Sequence, residues 1–72
     1  MSQLFAVYDE FNDVQLAGNH KTLAAALKRR KKLNAALNRQ GYDSIYGVRL
    51  ATGNPLPPEM EEDYWIVLEI IG

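Results

Sequence analysis

Seventy-two residues with a formal net charge of −1, 47% hydrophobic and 24% charged, make an ordinary globular composition and exclude intrinsic disorder. A chain this short buries only about 60% of its unfolded surface, so residues 1–72 form one domain whose modest core gains from a partner. Cysteine is absent, which excludes disulfides, thiolate zinc sites and iron–sulfur clusters and suits a reducing cytoplasm; MSQLFAVYDE lacks the basic region of a leader, and no apolar run nears the roughly 20 residues of a membrane span.

Leu4–Tyr8 (LFAVY) is rich in aromatic and β-favouring residues, and Val14–Ala17 (VQLA) follows the turn formers DEFND. The pair predicts a β-hairpin with a loop of about five residues. GNHKT breaks the pattern. Thr22 suits an N-cap and Gly41 the position after a C-cap, and no glycine or proline lies between them, so a helix of about 18 residues is expected. Ser44–Leu50 (SIYGVRL) sets Tyr46, Val48 and Leu50 against Ile45, Gly47 and Arg49, the period of a half-buried strand. ATGNPLPPEMEED, with three prolines, reads as a loop. Tyr64–Ile71 (YWIVLEII) reads as a central strand because both of its alternating sets are largely apolar. The expected fold is therefore α+β in the order ββαββ, one helix on one face of a mainly antiparallel four-stranded sheet. The other face is left to water or to an interface, including one with a second copy.

The charges are divided along the chain. Residues 21–39 hold seven of the eight cations and no acid, whereas the remainder holds all nine acids and Arg49, a balance of −8. At about 100° per residue, Leu23, Ala26, Leu27, Leu33 and Leu37 share one side of the helix. Lys21, Lys28, Lys32 and Arg39 lie opposite, with Arg29 and Lys31 on the flanks, so these six make a basic binding face. Arg30 and Asn34 break the rule by falling inside the apolar stripe; Arg30 is expected to lay its stem over the core edge and reach a carboxylate near residues 59–63. Glu59, Glu61, Glu62 and Asp63 form an acidic candidate face able to imitate a phosphate backbone. Tyr46, Tyr64 and Trp65 are candidate interface anchors, since Tyr and Trp are enriched at binding hot spots.

No nucleophile, base and orienting group can be assembled from these residues, and enzymatic function is not expected. His20, the single histidine, stands without metal-ligating neighbours, while Asp9, Glu10 and Asp13 lack the glycine and spacing of a calcium loop. Neither an RNP-like run nor a glycine-rich phosphate loop is present, and no metal or cofactor is implied.

With LFAVYDEFNDV opening a hairpin and TLAAALKRRKKL as its one helix, the small, cysteine-free chain resembles the anti-CRISPR inhibitors of phages and mobile elements. The resemblance implies a cytoplasmic, non-enzymatic protein that stoichiometrically inhibits a bacterial nucleic-acid-handling complex by occluding a surface or locking a conformation. The alternative is a small nucleic-acid-binding protein that uses the basic outer face of its helix.

Overall fold

Asp9 sets the first reversal of the chain. In the computed structural model, which describes residues 3–71, its carboxylate accepts the main-chain N–H groups of Phe11 and Asn12 at 3.0 and 2.8 Å and the Asn12 carboxamide at 2.8 Å. Asp13 then adopts a left-handed φ of 60°, which aspartate tolerates better than most residues. Strands β1 (Phe5–Asp9) and β2 (Val14–Gln15) leave this turn antiparallel, with Tyr8 opposite Gln15 and Asp9 opposite Val14. Past β2 the pairing becomes irregular. Leu16 donates to the Val7 carbonyl, and His20 exchanges two main-chain hydrogen bonds with Phe5 at 2.7 and 2.8 Å.

Helix α1 (Leu23–Arg39) starts where the sequence places it, because the Thr22 hydroxyl accepts the Ala25 N–H at 3.2 Å. Its end is a Schellman motif. Gly41, at a φ of 89°, donates to the Asn38 carbonyl, and Tyr42 donates to that of Leu37, both at 3.0 Å. Strand β3 (Tyr46–Leu50) returns antiparallel to β1 with Val48 opposite Val7, and the sheet order is β2-β1-β3. Phe5 and Val48 pack from the sheet onto Ala26 and Leu27 of α1, and Val7 and Leu27 are the largest fully enclosed side chains among the described residues.

The chain ends differently from the sequence-based expectation. Instead of a fourth strand, residues 61–71 form a second helix, α2 (Glu61–Ile71), entered through a 3₁₀ turn at Pro58–Met60. The fold is thus α+β with a three-stranded antiparallel sheet and two helices, one long and one short, not four strands and one helix. Two local features outweigh the β-favouring run YWIVLEII. Pro58 is tolerated in a first helical turn, and Glu61, Glu62 and Asp63 stand where the helix dipole favours acids. Tertiary packing completes the choice. Met60, Tyr64, Val67, Leu68 and Ile71, spaced as one helical stripe, all pack against the core, which a period of two would not allow.

Arg30 and Asn34 are explained by the outer edge of β3. Asn34 is 6% exposed; its carboxamide oxygen accepts the N–H groups of Ile45 and Tyr46 at 3.2 and 3.0 Å, and its nitrogen donates to the Tyr46 carbonyl at 3.2 Å. Arg30 Nε donates to the same carbonyl at 3.1 Å. Arg30 therefore caps a strand edge and does not reach the acidic segment as expected from its stem length, because a carbonyl lying over the core edge is nearer than a loop carboxylate. Asn34→Ala strands two main-chain donors at a buried edge and is expected to lower stability by about 2–3 kcal/mol in denaturant unfolding. Arg30→Ala, which removes one of two donors to a shared carbonyl, should cost less than about 1 kcal/mol, and a similar cost for both would refute the edge-cap assignment.

Candidate binding surfaces

The cationic face divides into structural and free groups. Arg29 Nη1 donates to the Ala17 carbonyl at 2.7 Å and more weakly to that of Gly18 at 3.3 Å, tying α1 to the segment that follows β2. On the opposite flank, Lys31 Nζ donates to the Ile71 carbonyl at 2.7 Å, where a cation also complements the C-terminal end of the α2 dipole. Lys21, Lys28, Lys32 and Arg39 are exposed, and none of them pairs with a carboxylate among the described residues. Lys28, Lys32 and Arg39 belong to α1, whereas Lys21 precedes its extended N-cap Thr22 and so lies outside the helix on which the angles placed it.

On the sheet face turned away from α1, a polar network replaces the bare surface that a one-helix layout would leave. Arg49 makes a two-pronged contact with Glu10, Nε to Oε1 at 3.2 Å and Nη2 to Oε2 at 2.8 Å, and its guanidinium lies 4.2 Å from the centre of the Tyr8 ring. Tyr8 donates its hydroxyl proton to Asp13 at 2.6 Å. Gln15 reaches past β1 to donate to the Ala51 carbonyl at 3.0 Å, and Ala6 beneath it is fully buried. Gly47 leaves room for Glu10, since a Cβ there would stand 2.9 Å from its Oε1. Titration reflects these contacts. The hydrogen bond to Asp13 raises the Tyr8 pKa above the usual tyrosine value, and the Glu10 carboxylate raises that of Arg49. Hydrogen bonds from Asn12, first from its carboxamide and then from its main chain, hold the Asp9 carboxyl below the usual aspartate value against opposing desolvation.

Helix α2 brings together what the sequence kept as separate loop and strand. Glu59 sits in the 3₁₀ turn and Glu61, Glu62 and Asp63 in the first helical turn; all four are exposed without a cation partner among the described residues. Tyr64 is half-buried against the core, and Trp65, 64% exposed, meets it edge-on with ring centres 5.3 Å apart. Tyr46 is half-buried on β3, so the three aromatic candidates do not share a sheet face. Ile66 and Ile70, read from sequence as strand core, instead stand on the outer side of α2 at 49% and 79% exposure. The helical spacing of Met60, Tyr64, Leu68 and Ile71 was the signal that would have turned them outward.

Between β3 and α2 runs a cleft of about 530 Å³, floored by Gly47, Val48 and Arg49 and walled by Leu56, Tyr64 and Trp65. Glu10 and Glu61 also line it. No family model, curated protein or solved structure matches this chain. Among the described residues no three His, Cys, Asp or Glu side chains gather as metal ligands, and no helix is long and apolar enough to cross a membrane. The His20 Nε2 is buried without a hydrogen-bond partner among the described residues, and its ordered contribution is the main-chain bridge to Phe5.

The folded pKa of Asp9 lies below its unfolded value, so the stability it contributes is present above the ordinary aspartate pKa of about 3.9 and is lost as pH falls through the folded pKa. Unfolding midpoints measured from pH 6 downward should therefore decline below about pH 4, and Asp9→Asn should be less stable at pH 6 with a shallower decline. An unchanged acid slope in that variant would remove Asp9 from the account.

Proposed function

We propose that this protein is a non-enzymatic protein-binding module whose working surface is the outer side of α2. The observation that carries the reading is the exposure of Ile66 and Ile70, four residues apart, beside Trp65 and among Glu62, Asp63 and Glu69. A domain with so small a core gains little from leaving large apolar side chains in water, and an apolar ridge on a short helix suits a hydrophobic groove on a partner. Acids bordering that ridge favour a groove with a basic rim, the character of proteins that handle nucleic acid. Occupying such a groove is stoichiometric inhibition or adaptor binding, which is the role implied by the anti-CRISPR resemblance, although the one-helix layout behind that resemblance gives way to two helices. A chain without cysteine suits a cytoplasmic setting for this role.

A second reading has its own support. Lys21, Lys28, Lys32 and Arg39 form an exposed cationic ridge without carboxylate partners among the described residues, as phosphate contacts require. The acid-rich remainder of the chain opposes it by weakening long-range attraction to nucleic acid.

Capture of partners from nuclease-treated bacterial lysate tests the first reading. Ile66→Asp with Ile70→Asp should abolish capture while leaving the unfolding midpoint nearly unchanged, because both side chains are exposed. Lys28→Glu with Lys32→Glu should leave capture intact. Capture that survives the isoleucine substitutions would refute the α2 surface. The same lysine pair decides the second reading: a gel shift with duplex DNA or RNA that is lost on reversal supports the ridge, and a shift that persists excludes it.

A further inference from the structure

The hydrogen-bond pattern of β3 leaves one place on its outer edge open. Main-chain bonds from Glu10 to the Ile45 carbonyl and from the Ala51 N–H to Leu4 fix the ladder with β1, so Gly47 and Arg49 turn their polar groups inward, while Tyr46, Val48 and Leu50 turn theirs outward and the Ile45 N–H is taken by Asn34. Tyr46 is satisfied by Asn34 and Arg30. Leu50 is satisfied by its own turn, donating to Asn54 at 3.0 Å and accepting from Gly53 at 2.8 Å. Val48 alone of the three has neither group bonded among the described residues. It also lies on the floor of the cleft, so the open rung faces a space bounded by Leu56, Tyr64 and Trp65.

Two further observations define what fits there. The cleft volume lies within the range of about 300–1,000 Å³ typical of ligand sites, and its aromatic wall suits an apolar side chain. Of the two carboxylates at the cleft, Arg49 neutralises Glu10, whereas Glu61 has no cation partner among the described residues. The space is therefore net negative.

We propose that this cleft captures a short extended peptide segment of basic and apolar residues, which adds to β3 as a one-residue strand at Val48. The paired residue would exchange two main-chain bonds with Val48 and direct its apolar side chain to the same side of the sheet as Val48, toward Leu56 and Tyr64. Flanking lysine or arginine residues would meet the unbalanced carboxylate. The caps at Tyr46 and Leu50 prevent further pairing, so the site accepts a single rung and resists strand addition by a long edge, including that of a second copy. This site is separate from the Ile66–Ile70 ridge and does not depend on it.

The test is an amide-resolved NMR titration of the full chain with the capped pentapeptide Thr-Lys-Val-Lys-Thr up to about 1 mM, a concentration that reveals weak binding. Shifts are expected at Gly47, Val48, Arg49 and the Trp65 indole, with slowed hydrogen exchange at the Val48 amide. Methylating the nitrogen of the peptide's valine should weaken binding about tenfold, as expected for one lost hydrogen bond worth about 1.4 kcal/mol. Replacing both peptide lysines by glutamate should abolish it, and Glu61→Lys in the protein should reverse that preference. Trp65→Ala, exposed and compatible with folding, should weaken the lysine peptide, whereas Ile66→Asp with Ile70→Asp should not. No shift at Val48, an equal affinity for the methylated peptide, or shifts confined to the α1 ridge or to Ile66 and Ile70 would each overturn the proposal.

Discussion

The main-chain groups of Tyr46, at the outer edge of a sheet only three strands wide, have to find partners, and two side chains of α1 supply them. Asn34 takes the N–H groups of Ile45 and Tyr46 and returns a bond to the Tyr46 carbonyl, which Arg30 also reaches. Leaving such groups unpaired beside the core would cost more than the bonds gain, so α1 is fixed to β3 in position as well as in face. That placement lets Ala26 and Leu27 cover Phe5 and Val48. It also leaves a flank of α1 against which α2 packs, with Lys31 closing the contact on the Ile71 carbonyl. The same capping blunts the sheet edge at Tyr46, while the turn at Gly53 and Asn54 blunts it at Leu50.

The basic run KRRKKLN is a set of different tasks at adjacent positions. Lys28 and Lys32 face water, Arg29 secures the segment after β2, Arg30 caps β3, and Lys31 caps α2. A helix places neighbouring residues about 100° apart, so a continuous block in sequence is distributed around the axis. Two of the six cations expected to form the basic face, Arg29 and Lys31, are used to hold the fold, and the remaining surface is narrower than the sequence implies. Arginine serves the carbonyl contacts at the crowded positions because its planar, weakly hydrated head loses less on leaving water than an ammonium does.

The uncovered sheet face and the α2 surface solve the same problem in opposite ways. Tyr8, Glu10, Asp13, Gln15 and Arg49 bond to one another or to main chain, so that face meets water at little cost. Ile66, Ile70 and Trp65 have no such arrangement and remain exposed. The contrast leaves Ile66, Ile70 and Trp65 in water on α2, whereas the sheet face that a four-stranded layout had made the natural interface is covered by its own polar network.

Much of the fold was legible wherever local chemistry and periodicity agreed. The hairpin around DEFND, the Thr22 cap, the left-handed Gly41 and the alternation of β3 each depend on a few neighbouring residues and can be read from those residues alone. The exposure of Lys28, Lys32 and Arg39 on α1 is readable in the same way, because a helical angle is a local property. The final segment was ambiguous on those terms: β-favouring side chains pointed to a strand, while Pro58 and the acids behind it pointed to a helix. Packing resolves it, since a stripe from Met60 to Ile71 can be buried against the core only at helical spacing. The partners of Arg30 and Asn34 and the open rung at Val48 were likewise beyond the sequence. They depend on where a second element lies in space, and distance between residues far apart in the chain is set by packing.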